Sequence, residues 1–275
     1  MLTRKEAISF LEIPEKHFDN YFKISGEIPG FKQGNRWQFD RDALVQWAQS
    51  RDYGTVRLSL IEYQECFEFA IKMAYSTNSR HGTGIRGQRS EVQMADDFIL
   101  GILAEKGFAK FMKERHGIEV DLDMNVHPEE ITPQDIISIL KDGLKRPPNL
   151  KVGIKSSKLK NCFNIIDPLE YENSDRKSDV YIFARVDLPS DHLFRILRDH
   201  SFFKTVREFL EKNENFRKIG TLEVIPVWIC GFSYDGEFHK VNEITNQKFE
   251  GERYVKSVGE MHHTAEDWKE LISKM

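Results

Sequence analysis

Residues 150–161 read LKVGIKSSKLKN, and how this stretch folds decides how the centre of the chain is organised. It has the apolar character of a β-strand, with Lys155 set among apolar neighbours. Ser156, Ser157, Lys158 and Lys160 follow at once. A lone strand lysine is ordinarily a solvated outward side chain, so a chemical role for Lys155 requires an acid nearby. One lies twenty residues upstream, where TPQDIISIL (132–140) places Asp135 at the mouth of another strand. Adjacent strands can bring an aspartate and a lysine side by side at a sheet edge. There the carboxylate can hold a divalent cation through oxygen, and the lysine can orient a water and balance charge on a phosphate. Glu91, in the first turn of a helix further upstream, is the third candidate for the same cluster.

Working outward, strands are expected around Ile118–Met124, at 135–140, 150–157, 178–188 (SDVYIFARVDL) and 222–232 (LEVIPVWICGF). Helices are expected over 58–75, from 90 to 117, and over 199–215. Ser90 with Gln93 three residues on forms a capping box that starts the second of these. Helices flanking a mixed central sheet make an α/β fold the expectation. The first fifty residues have a different rhythm. Helices at Arg4–Leu11 and Glu15–Lys23 are separated by a break at Ile13–Pro14, and a turn-rich hairpin lies in GFKQGNRWQF. A last helix follows, with Asp40 as its N-cap. The change of character near 50–57 suggests a small unit over residues 1–52 and a larger one over 57–275.

Composition excludes several classes. The chain has 275 residues, 40% hydrophobic and 31% charged, with a net charge of −4, so a folded globular protein is expected rather than a disordered one. There is no apolar run long enough for a membrane span and no secretory leader pattern. Cys66, Cys162 and Cys230 are scattered without a CxxC pair, which points away from a thiolate zinc site and toward a reducing, cytoplasmic setting. Against the acidic total, residues 141–160 hold seven Lys or Arg and one acid, a local excess suited to a phosphate backbone. Arg80, Arg86 and Arg89, in a glycine-rich lead, could extend that patch. The acids of IEVDLDMNVHPEE (118–130) read as decoration of a strand and loop, Trp37 and Trp47 as core of the small unit, and His262–His263 as surface residues.

The opening LTRKEA, the second helix, the Ile28–Pro29 corner, the Gly34–Asn35–Arg36–Trp37 wing and the closing ALVQW resemble the winged helix-turn-helix domains of the excisionase and MerR-like group. The resemblance implies that His17, Asn20 and Lys23 enter a major groove, while Lys32, Asn35 and Arg36 touch phosphates or the minor groove. The same fifty residues are neutral, with seven cations and seven acids.

Pro133–Gln134–Asp135 together with Gly153–Ile154–Lys155 resemble the PD-(D/E)xK nuclease superfamily. The ordered set RSEVQ, PQDI, VGIKSSKLKN, SDVYIFARV and PVWICGF is similar to its type II restriction endonucleases. That resemblance implies a restriction-endonuclease-like core and Mg²⁺-dependent, site-specific hydrolysis of double-stranded DNA, with both strands cut by a homodimer or in two sequential nicks. Asp135, Glu91 and the Ile154 carbonyl would hold the metal, Lys155 would support the attacking water, and Arg86, Arg89, Lys158 and Lys160 would meet DNA. Glycine at 153 departs from the superfamily's acid. Glu91, then Glu170 or Glu172, then Asp179 are the places from which a carboxylate could replace it. A non-catalytic DNA-binding regulator, or a nuclease of repair or mobile-element excision, are the alternative readings.

Overall fold

The computed structural model describes residues 1–76, 90–125, 135–141, 143–245 and 247–275. Arg80, Arg86, Arg89, Pro133, Gln134, Glu129 and Glu130 lie outside these. The chain opens with a two-residue strand β1 (Leu2–Thr3) and helix α1 (Arg4–Leu11), started by a Thr3–Glu6 capping box. Helix α2 (Glu15–Asp19) runs directly into a π-helical turn over Asn20–Ile24. The expected wing is a hairpin of β2 (Phe31–Gln33) and β3 (Arg36–Phe39), and β1 pairs with the other edge of β3. Helix α3 (Arg41–Gly54) is capped by Asp40, whose Oδ1 accepts from the Ala43 N–H at 2.9 Å.

Where a single helix is expected from residue 58, the chain instead makes β4 (Thr55–Ser59) and then α4 (Leu60–Ala74). The reason is local: Ser59 and Glu62 form a capping box, so the helix starts only after Ser59. The long helix α5 (Glu91–His116) does start at the Ser90–Gln93 box. After it come β5 (Glu119–Leu122), β6 (Ile136–Lys141) and β7 (Leu144–Arg146), an antiparallel sheet of their own. Strand β8 (Val152–Lys158), β9 (Phe163–Ile166), α6 (Pro168–Tyr171) and β10 (Val180–Val186) follow. The last part holds α7 (His192–Leu197), α8 (Lys204–Lys212), β11 (Val224–Tyr234), β12 (His239–Ile244), β13 (Gln247–Ser257) and α9 (Ala265–Lys274).

The protein is a mixed α/β fold. Its main sheet has the order β4-β11-β10-β8, with β8 parallel to β10 and the other pairs antiparallel. One face of this sheet presents Val152, Ile154, Val180, Ile182 and Ala184 to Ile99, Leu103 and Phe108 of α5 and Tyr63 and Cys66 of α4. Gly107 permits that contact. A Cβ there would lie 2.4 Å from Val227 Cγ1, so only glycine lets α5 settle this close on β11. The other face carries Tyr181, packed with Ile166, Tyr171 and Phe238 under the small sheet β12-β13-β9. It also carries Phe183, which belongs to a second core with Ala7, Phe18, Tyr21, Phe22, Trp228 and Cys230.

Residues 1–54 therefore share a core with the rest of the chain. Arg185 of β10 is 0% exposed and reaches across to Glu27, with bonds of 2.8 and 2.7 Å. Its guanidinium also lies over the Tyr21 and Trp228 rings, at 4.7 and 4.8 Å. Trp47 joins this contact, edge-on to Trp228, whereas Trp37 stays 37% exposed on the hairpin.

Candidate active site

Strand β8 is an edge of the main sheet, so alternate residues point their backbone groups away from β10. Ile154 is one of these. Its N–H donates to Asp135 Oδ2 at 2.7 Å, and its carbonyl lies on the same edge as its N–H. Asp135 and Lys155 thus come together as expected, although β6 and β8 belong to different sheets and the link is this side-chain bond rather than strand pairing. Lys155 Nζ pairs with both oxygens of Glu170, at 2.7 and 2.8 Å.

Of the places from which a second acid was expected, only Glu170 reaches Lys155. Glu172 is bound to Lys240 and Tyr254, and Asp179 accepts from the Lys151 N–H. Glu91 is not brought to the cluster. It sits at the start of α5, about 21 Å along the helix axis from Glu105 at 1.5 Å per residue.

Glu105 is the residue that sequence reading missed. Burial raises its pKa well above the ordinary carboxylate range, and the Asp135 charge raises it further while Lys155 opposes the shift. Asp135 is likewise raised by burial, with Lys155 and the Ile154 N–H pulling the other way. Two half-buried carboxylates therefore share one charge field with Lys155 near the edge of β8. A signal was present in the sequence. Ile102 and Phe108, with the partly buried Phe98, mark the apolar stripe of α5, and Glu105 falls within that stripe's period.

Gly153 explains why the acid is not on β8 itself. A Cβ there would lie 2.6 Å from Ser178 Oγ and 3.2 Å from Tyr181 Cδ1, so no side chain fits without displacing that wall. Negative charge reaches the edge from α5, from the start of β6 and from α6 instead.

Among the described residues no three His, Cys, Asp or Glu side chains converge as a ready metal cluster. The fit for a divalent cation rests on oxygens alone: the Asp135 carboxylate bonded to the Ile154 N–H, the Ile154 carbonyl on the same edge, and Glu105, whose ionisation the Asp135 charge opposes. Oxygen-only donors suit Mg²⁺.

Comparison with protein-family models, curated proteins and solved structures finds no match.

The expected nucleic-acid contacts are dispersed. Asn20 Nδ2 donates to the Lys160 carbonyl at 2.9 Å and the Tyr21 hydroxyl to the Leu159 carbonyl at 2.8 Å, so one side of α2 and its extension lies against the exit of β8. His17 is half-buried and burial lowers its pKa, while Lys23 is exposed and paired with Asp19 at 3.2 Å. Lys32, Asn35 and Arg36 stand exposed on the hairpin. The basic run is not one face: Lys145 pairs with Asp121, Lys155 with Glu170 and Lys158 with Asp96. Asp96 in turn holds His192, whose other ring nitrogen meets the Tyr63 hydroxyl at 2.6 Å. This chain, buried at Tyr63 and His192 and partly exposed at Asp96 and Lys158, ties the end of β8 to α4 and α7 through α5. Lys160 is exposed at the rim.

Proposed function

We propose that the protein is a Mg²⁺-dependent endonuclease that hydrolyses phosphodiester bonds of double-stranded DNA at specific sites. Its nuclease core would be of restriction-endonuclease type, with a winged helix-turn-helix unit fused to it. The observation that carries this is the edge of β8, where the Asp135 carboxylate bonds the outward backbone of Ile154 next to Lys155, with Glu105 within the same charge field. Asp135, Glu105 and the Ile154 carbonyl would hold Mg²⁺, and Glu105 takes the place that Glu91 had in the sequence reading. Bound there, the cation would lower the pKa of water and neutralise developing charge on phosphate. Lys155 would orient the attacking water and balance the phosphate charge, moving from Glu170 to do so. Glu170 keeps the ammonium in place until DNA arrives.

DNA would lie across Lys160 and the exposed hairpin cations Lys32 and Arg36, with Asn35 at the turn. The docked flank of α2 favours the hairpin over that helix as the reading element. Arg86 and Arg89 stay candidates by their sequence alone. The alternative of a non-catalytic regulator is favoured by one feature, the closed Lys155–Glu170 pair.

Cutting both strands by a homodimer, rather than by two sequential nicks, is part of the proposal. Phe194, Phe202, Phe209 and Phe216 are 50 to 80% exposed around α8, on the order of 500 Å² of aromatic surface, which is at the upper limit for a monomer. A second copy of this chain is the proposed occupant, and sedimentation at micromolar concentration would show a dimer. Among the described residues no helix is long and apolar enough to cross a membrane, and a cytoplasmic site of action is part of the proposal.

The test is incubation with unmethylated plasmid and phage DNA, with and without Mg²⁺, beside Lys155→Ala. Discrete fragments that need Mg²⁺ and vanish in the variant are expected. DNA binding without any cutting would leave the regulator.

A further inference from the structure

Beyond Lys155, strand β8 holds a second lysine gripped by a carboxylate. Lys158 stands at the strand's exit, about 10 Å further along at 3.3 Å per residue. The acid behind it is built into the fold. Asp96 of α5 places Oδ2 3.3 Å from Lys158 Nζ and Oδ1 2.7 Å from His192 Nε2. The other ring nitrogen of His192 meets the Tyr63 hydroxyl at 2.6 Å, and both residues are 1% exposed. A carboxylate only accepts, so His192 Nε2 donates to Asp96, and in the neutral ring Nδ1 accepts from Tyr63. The bond from His192 holds the Asp96 carboxyl below its ordinary range, which keeps it charged toward Lys158. By contrast, the exposed pair of Lys145 and Asp121 rests on the hydroxyl of Ser138.

Stability does not explain this arrangement. A lysine–carboxylate pair at the surface adds little, while a buried imidazole and phenol must be bonded merely to offset their own burial. What the chain of four groups achieves is to fix one ammonium that is still 36% exposed. Asp96 engages one of its three N–H donors and leaves the others for an anion. Fixing the side chain beforehand removes the ordering cost that a free lysine meets on binding.

We propose that Asp96, braced by His192 and Tyr63, is a positioning residue that presents Lys158 to a backbone phosphate of bound DNA. That role rests on the nuclease reading above. Lys155 and Lys158 leave opposite faces of the main sheet, and β8 is its edge strand, so a duplex lying along that edge meets both ammonium groups. Exposed Lys160 follows two residues on.

Anisotropy titrations of the full-length protein against a fluorescent thirty-base-pair duplex, in EDTA, test it. A phosphate contact carries no sequence information, so a duplex of mixed sequence reports it. Lys158→Ala should lower the slope of log K against log salt by about one and weaken binding about eightfold at 0.1 M salt, as loss of one phosphate contact does. Asp96→Asn still accepts from His192 but no longer holds the ammonium. It should weaken binding about two- to fivefold, the cost of ordering one long side chain, and have no further effect once Lys158 is alanine. An Asp96 that merely masked Lys158 would make Asp96→Asn bind more tightly. A purely structural Asp96 would weaken binding equally in both backgrounds. Either result, or an unchanged salt slope in Lys158→Ala, overturns the positioning role. Those failures leave Mg²⁺-dependent cleavage standing, whereas a parent protein that binds no duplex overturns both readings.

Discussion

Glu105 and Gly153 together explain where negative charge sits at the β8 edge. The wall formed by Ser178 and Tyr181 excludes a side chain at 153, and α5 delivers the carboxylate from the other sheet face. Burial and the neighbouring Asp135 both oppose ionisation of Glu105, so the metal-free fold disfavours its charged form. Glu105→Gln should leave metal-free thermal stability unchanged or higher. Cleavage should fall on the order of 10²- to 10³-fold, the usual size for a lost charge-stabilising group. Mg²⁺ should raise the melting temperature of the parent but not of the variant. Equal Mg²⁺ stabilisation of both proteins would remove Glu105 from the site. Asp135 and Lys155 were legible from sequence because strand periodicity and spacing place them. Glu105 was singled out by nothing but its place in the apolar period of α5, and which group it meets depends on how that long helix packs.

At the scale of elements, caps wrote most boundaries: Thr3, Asp40, Ser59, Ser90 and Thr264 each start a helix with a side-chain bond to the backbone. The strands β12 and β13 escaped sequence reading because HKVNEI and QKFEGERYVKS are largely exposed and polar, and only the pairing of β12 with β13, and of β13 with β9, makes them strands. Helices α1 and α2 are tied by Arg4, whose Nε and Nη2 meet the Asp19 oxygens at 3.0 and 2.7 Å. That bond holds the Asp19 carboxyl below its ordinary range. A depressed carboxylate stabilises the fold above the unfolded pKa, near 3.9, and the contribution fades as pH falls through the folded value. Asp19→Asn should therefore melt below the parent at pH 6, with the gap closing as pH drops toward 3. Asp19 is partly exposed, so the gap is small. A gap that is constant with pH would show the pair contributes nothing through charge.

Over the whole molecule, the fusion of residues 1–54 with the main sheet is the dominant feature. Arg185 is fully enclosed, and its charge is met by Glu27 from the N-terminal unit, the Asn161 carbonyl and two aromatic faces. Its pKa is held above the ordinary arginine value by its acidic surroundings despite burial, so it stays charged. Removing one partner of such a buried pair strands the other. Glu27→Ala should lower the free energy of unfolding by about 3–5 kcal/mol, measured by urea denaturation. A loss below 1 kcal/mol would mean that Asn161 and the rings suffice. The two units should also unfold in one transition, because Phe183, Trp228 and Cys230 belong to the same cluster as Phe18 and Tyr21.

By itself the sequence determined the α/β class, the small N-terminal pattern of helices and hairpin, and that Asp135 lies close to the strand of Lys155, where it bonds to the neighbouring Ile154 N–H. Those features follow from local periodicity, capping and spacing. Tertiary structure alone decided which acid faces Lys155, that the flank of α2 bearing Asn20 is docked rather than free, and that the basic run of 141–160 is split among ion pairs. Each of these depends on residues more than ten positions apart meeting across packed elements, and no local pattern encodes which of several acids or faces will meet.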